Sequence, residues 1–405
     1  MRTPRHSPRF ACALVLGGCL GTDAPPPEDA ISLGLLLSYT GNLAANSINS
    51  ERALLMAVEA VNQAGGPGGR PLQVVSRDTG SAPSKVTPRG QALLDAGVAL
   101  IIGPDSNELA VELKPLLAER VVILPSFATA HWLSYKPASW FVMGASAGRF
   151  ACELVSQLQA DGRQRSLVIS DPAGYSSVLG WELVRTYGMR VVQLPSRGAA
   201  DSATVDKIIA AKADSFLLLA IPSSATSLLY ALRAVGAMDQ PARWYLSPTL
   251  HTPALLETIP PSLLSGARGV ATGTIVGAQE FRARFEARWQ DHPLDDAYSF
   301  YDAGAIAALA LQRALAREGT IPAGTGMVGH IVAVTSARGT PVRWNELERG
   351  VALLRQGQEV AYLGVTGALE FDMLGQSTIS ASVSWWTVDA SGFAEIPRTS
   401  ACHQL

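Results

Sequence analysis

The sequence predicts an α/β protein built from two Rossmann-like, doubly wound parallel sheets, and three observations support this prediction. Short apolar runs alternate with longer stretches that are apolar on one helical face. The runs are apolar throughout, as expected of strands covered on both faces. This alternation of strand-like and helix-like segments also begins twice, near residue 31 and near residue 147. A chain of 405 residues is long enough for two or three domains, and with 48% hydrophobic and 16% charged residues it can bury a large core.

The first half of the pattern runs to about residue 124 and ends before a short stretch at 140–145. Its helices are marked by apolar residues at helical spacing, and glycines or prolines mark the ends of several elements. The predicted strands are 31–37, 72–76, 98–102 and 121–124, and the predicted helices are 47–64, 84–96 and 106–119.

The second half repeats the architecture without repeating the sequence. Its predicted helices are 147–160, 176–187, 202–212 and 223–236, and its predicted strands are 167–170, 190–194, 216–220 and 244–246. Beyond residue 272 we predict helices at 279–290, 297–317 and 344–355, then strands at 361–365 and 382–388. Because this tail belongs to neither half alone, the chain is expected to cross between two lobes more than once.

The N-terminus has the pattern of an export signal. Arginines at positions 2, 5 and 9 precede an apolar stretch at 10–16, which is much shorter than the about 20 residues of a membrane span. The stretch ends in Leu16-Gly17-Gly18-Cys19, which resembles the lipobox of bacterial lipoproteins, so residues 1–18 are interpreted as a signal and Cys19 as the lipid-attachment residue. The alternative is a plain signal cut near Ala24 or a disordered start. The proline-containing segment 19–30 is interpreted as a tether.

The remaining composition narrows the possible partners. A net charge of −2 without a run of lysines or arginines gives no indication of nucleic-acid binding, and the lipid is the only predicted contact with a membrane. Six scattered histidines have no zinc-like spacing, so no metal and no cofactor is expected. Cys152 and Cys402 could pair, but connectivity does not follow from sequence.

Candidate binding residues lie in the loops that follow the predicted strands, where open parallel sheets bind ligands. In the first half, Ser106, Ser126 and Thr129 could donate hydrogen bonds beside exposed helix-start amides. The alternative is that each hydroxyl only caps its helix. The loops of the second half contain Tyr175, Ile221 and Thr249.

Signatures of catalysis are missing from the sequence. It contains no G-x-S-x-G, no H-E-x-x-H and no G-x-x-x-x-G-K-[ST]. His131 and His251 follow strand ends and could enter a cleft, but an isolated histidine is more often an ordinary hydrogen-bonding group. Adjacent Asp295 and Asp296 are interpreted as a solvated turn. We therefore expect a binding protein and not an enzyme.

Several motifs, in this order and spacing, identify a family resemblance over nearly all of residues 31–390. They are Tyr39-Thr40-Gly41, then the A-V-x-x-x-N-x-x-G-G-x-x-G-R-x-L pattern of residues 57–72, Ile101-Ile102-Gly103-Pro104, Tyr301-Asp302-Ala303, and G-V-T-G-x-x-x-F-D at 364–372. The chain resembles type I periplasmic binding proteins, specifically the branched-chain amino-acid (leucine/isoleucine/valine-binding) receptors of ABC transporters.

The resemblance implies two Rossmann-like lobes joined by a three-crossing hinge, with the ligand cleft between them. Lobe 1 would comprise 31–143 plus 272–365, and lobe 2 would comprise 145–270 plus 367–395, with crossings near 142–146, 269–273 and 364–368. It also implies capture of a small molecule by hinge closure and delivery to an ABC permease, from the periplasm or cell envelope. A sensory or regulatory binding module of the same fold, not coupled to transport, is the alternative, and a scaffold with a decayed cleft is a third.

Carrying the family's ligand contacts over by position implicates Ser106, the loop with Ser126, Ala128 and Thr129, and the tyrosine at 175. Two positions depart from the pattern: Ile221 stands where a tyrosine is expected, and Thr249 stands where an acidic residue would pair with the ligand's ammonium. The cysteine pair found near the cleft of some relatives is also absent. The ligand is therefore expected to be an amino acid or another small polar or aromatic compound.

Overall fold

The computed structural model describes residues 29–41, 43–116, 122–125, 139–172, 174–196, 200–238, 240–272, 278–371, 383–397 and 402. The first segment forms a five-stranded parallel sheet in the order β2-β1-β3-β4-β5. Its elements are β1 Ile31–Leu37, α1 Ala44–Gln63, β2 Leu72–Asp78, α2 Pro83–Asp95, β3 Leu100–Ile102, α3 Asn107–Val111, β4 Val122–Leu124 and β5 Trp140–Val142.

The second segment builds another sheet of the same kind. Its elements are α4 Ala147–Ala160, β6 Ser166–Ser170, α5 Gly174–Tyr187, β7 Arg190–Gln193, α6 Ser202–Ala210, β8 Ser215–Leu219, α7 Pro222–Ala234, β9 Trp244–Leu246, α8 Pro253–Thr258, α9 Pro261–Leu264 and β10 Arg268–Thr272.

The chain then returns to the first lobe and finally to the second. The returning elements are α10 Ala278–Trp289, α11 Asp295–Glu318, α12 Val328–Thr335, β11 Thr340–Arg343, α13 Leu347–Arg355, β12 Val360–Gly364 and β13 Gly367–Ala368, followed by β14 Val383–Asp389 and β15 Gly392–Ile396. β11, β12 and β13 form a small third sheet. The second sheet takes the order β15-β14-β10-β9-β8-β6-β7, in which β14 and β15 run antiparallel to their neighbours.

The core of the first lobe forms around α1 and α11. α1 buries the face formed by Ala53, Leu54, Ala57, Val58 and Val61, which is the face that its sequence periodicity predicts. α11 is buried along most of its length and packs against α1, α12 and α13. Leu369 and Phe371 still belong to this core, and the ring of Phe371 meets Phe141 of β5 edge-on at 5.0 Å.

The predicted fold class is confirmed: both large sheets are covered by helices and the strands of each are mostly parallel. One element differs clearly in length, because the helix predicted at 106–119 ends as α3 at Val111 and is followed by a 3-10 turn at Lys114–Leu116. Pro115 lies in this turn, and a proline lacks the N–H that a continuing helix needs. The sequence reading also missed β10, in the interior of the second sheet. Gly269 of β10 has no side chain, which leaves room for the ring of Trp386. A Cβ at position 269 would lie only 2.1 Å from that ring.

A disulfide joins Cys152 in α4 to Cys402 near the C-terminus, which settles the pairing that the sequence left open. The backbone N–H of Cys402 also donates to Glu153 Oε1 at 3.2 Å. The end of the chain is thereby attached to the second lobe. Within the described residues, no helix combines the length and the apolar character that crossing a membrane requires.

Candidate functional site

A hydrogen-bond network occupies the carboxyl edge of the first sheet. The carboxylate of Asp105, just after β3, accepts from the backbone N–H of Ser38 and from its hydroxyl, both at 3.0 Å, and from the Ser47 hydroxyl at 2.5 Å. The Ser38 hydroxyl also lies 2.8 Å from that of Thr79. These bonds join the ends of β1, β2 and β3 to α1, so Asp105 organises this edge. Sequence reasoning assigned Asp105 no role.

Ser106 lies next in the chain and begins α3. Its hydroxyl oxygen accepts from the Leu109 N–H at 3.4 Å, so the capping alternative holds for this residue. A hydroxyl that accepts one bond can still donate its proton. The cap therefore leaves a donor available at the edge of the first sheet.

Asp296, in the first turn of α11, is the second carboxyl at this edge. Burial, followed by the negative charges of Asp295 and Asp105, raises the pKa of Asp296 to about 7. The interpretation of these two aspartates as a solvated turn is correct for Asp295, whose side chain is 51% exposed, and wrong for Asp296, which is partly buried. Sequence reasoning missed Asp296 because it treated the two adjacent aspartates alike. Adjacent residues on a helix point in different directions, so one can be exposed while the other is partly buried.

Hydrogen bonds between side chains and backbone groups hold together the carboxyl edge of the second sheet. Asp171, after β6, is 8% exposed and accepts from the Ile221 N–H at 2.8 Å. Burial raises the pKa of Asp171, while the hydrogen bonds from Ile221 and from the Ser224 side chain act to lower it. The Thr249 hydroxyl donates to the carbonyl of Ala220 at 2.8 Å. The loops after β6, β8 and β9 thus form one connected edge.

The three residues predicted in this lobe have different surroundings. The side chain of Ile221 is 52% exposed at the start of α7, whereas Thr249 is partly buried and hydrogen-bonded to its own lobe. Tyr175 lies in the first turn of α5 with only 7% of its surface exposed, and its ring meets Phe150 edge-on at 6.2 Å. Burial raises the pKa of its phenol. The ring of Tyr175 is therefore part of the packed core of the second lobe.

Two contacts connect the edges of the two lobes. In the first contact, Gly174 at the start of α5 lies beside the Glu108 side chain of α3. A Cβ added at Gly174 would be 3.7 Å from Glu108 Oε1. His251, after β9, lies with Nδ1 3.2 Å from Asp295 Oδ2 at the start of α11. The carboxyl ends of the strands in the two sheets therefore approach each other, which is the arrangement that places a ligand between lobes.

Part of the predicted site lies outside the described residues. This holds for Ser126, Ala128 and Thr129 in the loop after β4, for His131, and for Cys19 with the predicted signal. In the part of the chain that the structure describes, no group of three or more histidine, cysteine, aspartate or glutamate side chains could hold a metal ion.

Two mostly parallel α/β sheets with facing carboxyl edges, connected by several chain crossings, define a two-lobed ligand-binding protein. The periplasmic binding protein family matches residues 30–345, and the chain belongs to this family. The resemblance to its type I, branched-chain amino-acid group is confirmed. Proteins of this family bind ligands, and membership implies an extracytoplasmic location.

Individual relatives differ in what they bind and do. The chain is 25% identical over 355 residues, 83% of its own length and 81% of the relative's, to the chemotactic signal transduction system substrate-binding protein BasB of Halobacterium salinarum. The leucine-binding protein LivK of Thermotoga maritima has the same fold, with a TM-score of 0.70, 15% identity, and coverage of 91% of this chain and 98% of that one. A benzoate-bound solute-binding protein of R. palustris gives a TM-score of 0.66 and 16% identity over 91% and 95% of the two chains.

Proposed function

We propose that this protein is an extracytoplasmic solute receptor that captures a small molecule by closing its two lobes and delivers it to an ABC permease. The facing carboxyl edges, one organised by Asp105 and the other by Asp171, are the observation that supports this role. Each edge is fixed internally by hydrogen bonds, so the lobes can move as rigid bodies around the crossings. The proposed role includes no catalytic step.

The proposed ligand contacts come from both lobes. Ser106 keeps a hydroxyl donor at the first edge, and the loop with Ser126, Ala128 and Thr129 would add to it. The second lobe would contribute Tyr175, the exposed side chain of Ile221, and Thr249. Because the Thr249 hydroxyl already donates to Ala220, it does not replace the carboxylate that would pair with an ammonium group. We therefore propose an amino acid with altered amine recognition, or a small polar or aromatic compound, as the ligand.

Identification of the ligand begins with protein purified gently from its own cells. Mass spectrometry of the small molecules released on unfolding is expected to find one compound in stoichiometric amount. Isothermal calorimetry with that compound should then give one site per chain. A chain that carries nothing and gives no thermal shift with amino acids or aromatic acids would contradict the proposal.

A sensory role is the second candidate, and the similarity to a chemotactic substrate-binding protein favours it. The two roles predict different defects in a strain that lacks the gene. A transport receptor is expected to lose uptake of the radiolabelled ligand, whereas a sensory receptor is expected to lose the behavioural response to it with uptake intact.

Membrane attachment through Cys19 is also a proposal. The Cys152–Cys402 disulfide supports export, because disulfides persist in oxidising compartments outside the cytoplasm. Replacement of Cys19 by serine should abolish incorporation of labelled palmitate and release the protein from the membrane fraction. Unchanged labelling would favour the plain signal cut near Ala24.

A further inference from the structure

One carboxyl group at the carboxyl edge of the first sheet has no bonding partner. Asp296, in the first turn of α11, is partly buried and forms neither a hydrogen bond nor an ion pair with any residue that the structure describes. The charges that act on it are negative, since Asp295 and Asp105 both raise its pKa. A carboxylate withdrawn from water in this way is unfavourable until a cation reaches it.

Hydrogen bonds from α1 fix the start of α11 at this edge. Asn49 of α1 donates to the His292 carbonyl and accepts from the Leu294 N–H, both at 2.8 Å. Ser47, two residues earlier in the same helix, donates to Asp105 at 2.5 Å. α11 also packs against β3. One turn of α1 therefore holds both the residues directly before α11 and the carboxylate that follows β3, which brings the start of α11 close to the end of that strand.

The start of α11 also faces the second lobe. Asp295 Oδ2 lies 3.2 Å from Nδ1 of His251, which follows β9. The ring of His251 stacks on Trp386 of β14 with centroids 5.1 Å apart, so this histidine belongs to the second lobe. Asp296 therefore lies where the carboxyl edges of the two lobes meet, in the cleft that the proposed function assigns to a small molecule.

Other carboxylates at the two edges already have partners. Asp105 accepts three hydrogen bonds from serines of its own lobe, Asp171 accepts from the backbone of the second lobe, and Asp295 lies beside an imidazole. Thr249 has no charge, and its hydroxyl donates to a carbonyl of its own lobe. Asp296 is thus the carboxyl at this junction that is left to receive a donor from a bound molecule.

We propose that Asp296 binds a cationic nitrogen of the captured molecule, so that the amine is recognised by the first lobe and not at position 249 of the second. This assignment rests on the proposed receptor function, and it narrows the ligand to small compounds that carry an ammonium or another protonated nitrogen. A cation at Asp296 also offsets the repulsion among Asp296, Asp295 and Asp105. A carboxyl group whose pKa is raised by burial and by neighbouring charges, and which lies in a cleft, is typical of functional sites.

Matched compounds test the assignment on the full chain by thermal shift and calorimetry. The probes are leucine and phenylalanine, the corresponding amines isoamylamine and phenethylamine, and the corresponding acids isocaproate and hydrocinnamate. The compound released from the purified chain is tested beside them. Compounds with an amine are expected to raise the melting temperature, whereas the acids without one should not. For the amine that binds most tightly, Asp296→Asn should weaken binding about ten- to hundredfold, the range of a hydrogen bond to a charged group.

Asp295→Asn is the matched control, because it removes an adjacent carboxylate that is 51% exposed and already lies beside His251. It should change the affinity for the same amine by less than about fivefold. The Asp296→Asn variant is expected to fold, because the raised pKa of Asp296 means that a neutral side chain is favoured in the folded chain. Its melting temperature without added compound checks this expectation.

An Asp296→Asn variant that binds the amine as tightly as the parent would overturn the assignment. A parent chain that binds only the acids, or that releases a compound without a basic nitrogen, would overturn it as well. In each of these cases the chain still captures a small molecule, so the receptor function stands. A chain that binds no compound at all would instead contradict the receptor function, and the assignment with it.

Discussion

Replacement of Asp302 by alanine tests how the turn between β12 and β13 is held. Asp302 is fully buried in α11, and one carboxylate oxygen accepts from the Tyr362 hydroxyl at 2.7 Å and from the Val365 N–H at 2.8 Å. The other accepts from the N–H and the hydroxyl of Thr366 at 2.9 and 2.6 Å. A single side chain thus anchors the turn that precedes the final passage of the chain toward the second lobe.

Two opposing effects set the magnitude. Alanine removes the acceptor of all four donors. The hydroxyl of Thr366, which is only partly buried, can turn to water, and each of the other three losses costs about 2 kcal/mol in the free energy of unfolding. Burial raises the pKa of Asp302 to about 6, so its removal also relieves an unfavourable charge worth on the order of 3 kcal/mol at pH 7. The difference predicts a loss of about 3 kcal/mol at pH 7.

The pH dependence gives a second, independent check. Because the folded chain binds the Asp302 proton more tightly than the unfolded chain, the contribution of this residue is full below the ordinary aspartate pKa and falls as pH rises through about 6. The deficit of the alanine variant should therefore grow from pH 7 to pH 5.

Urea unfolding at the two pH values measures both quantities. Asp206→Ala, at an exposed position of α6, is the matched control and should change stability by less than about 0.5 kcal/mol. An Asp302→Ala variant within 1 kcal/mol of the parent at pH 7, or one whose deficit shrinks at pH 5, would refute this reasoning.

Three further predictions concern the second lobe and the first-sheet edge. Tyr175→Ala should lose about 3 kcal/mol of stability because its ring packs on Phe150, so Tyr175→Phe is the cleaner probe. The phenylalanine variant should keep its melting temperature and bind the ligand about fivefold more weakly in calorimetry. Equal affinity would show that the hydroxyl of Tyr175 does not contact the ligand. Cys402→Ser opens the bond to Cys152 and should cost about 2–4 kcal/mol in urea unfolding; identical midpoints would contradict a stabilising disulfide. Asp296→Asn should stabilise the protein by about 1 kcal/mol or more at pH 8 and by much less at pH 4, because the raised pKa means that ionisation opposes folding and the partly exposed side chain lets solvent screen much of that cost; a less stable variant at pH 8 would contradict this.

Apolar periodicity was sufficient to predict most of the architecture. Helix α4 at Ala147–Ala160 and strand β9 at Trp244–Leu246 have the predicted bounds, since local patterns determine such elements. β10 was missed because its Arg268-Gly269 start resembles a turn, and its strand pairing depends on β9 and β14 from distant parts of the sequence.

The site was less predictable because its contacts join residues far apart in the chain. The bond from Ser38 to Asp105 spans 67 positions, and no local pattern indicates it. The motif at Tyr301-Asp302-Ala303 was recognised as a family marker, but its role in holding the turn at Thr366 becomes visible only in three dimensions. His251 was noted as a residue near a cleft, and its partner across the lobes could not be inferred.

The central claim is that the two lobes close around a small molecule. Small-angle X-ray scattering tests this claim on protein freed of its co-purified compound by unfolding and refolding, measured before and after the compound is added back. The account predicts a smaller radius of gyration with the compound, saturating at one molecule per chain. A bound compound with an unchanged radius of gyration would contradict it.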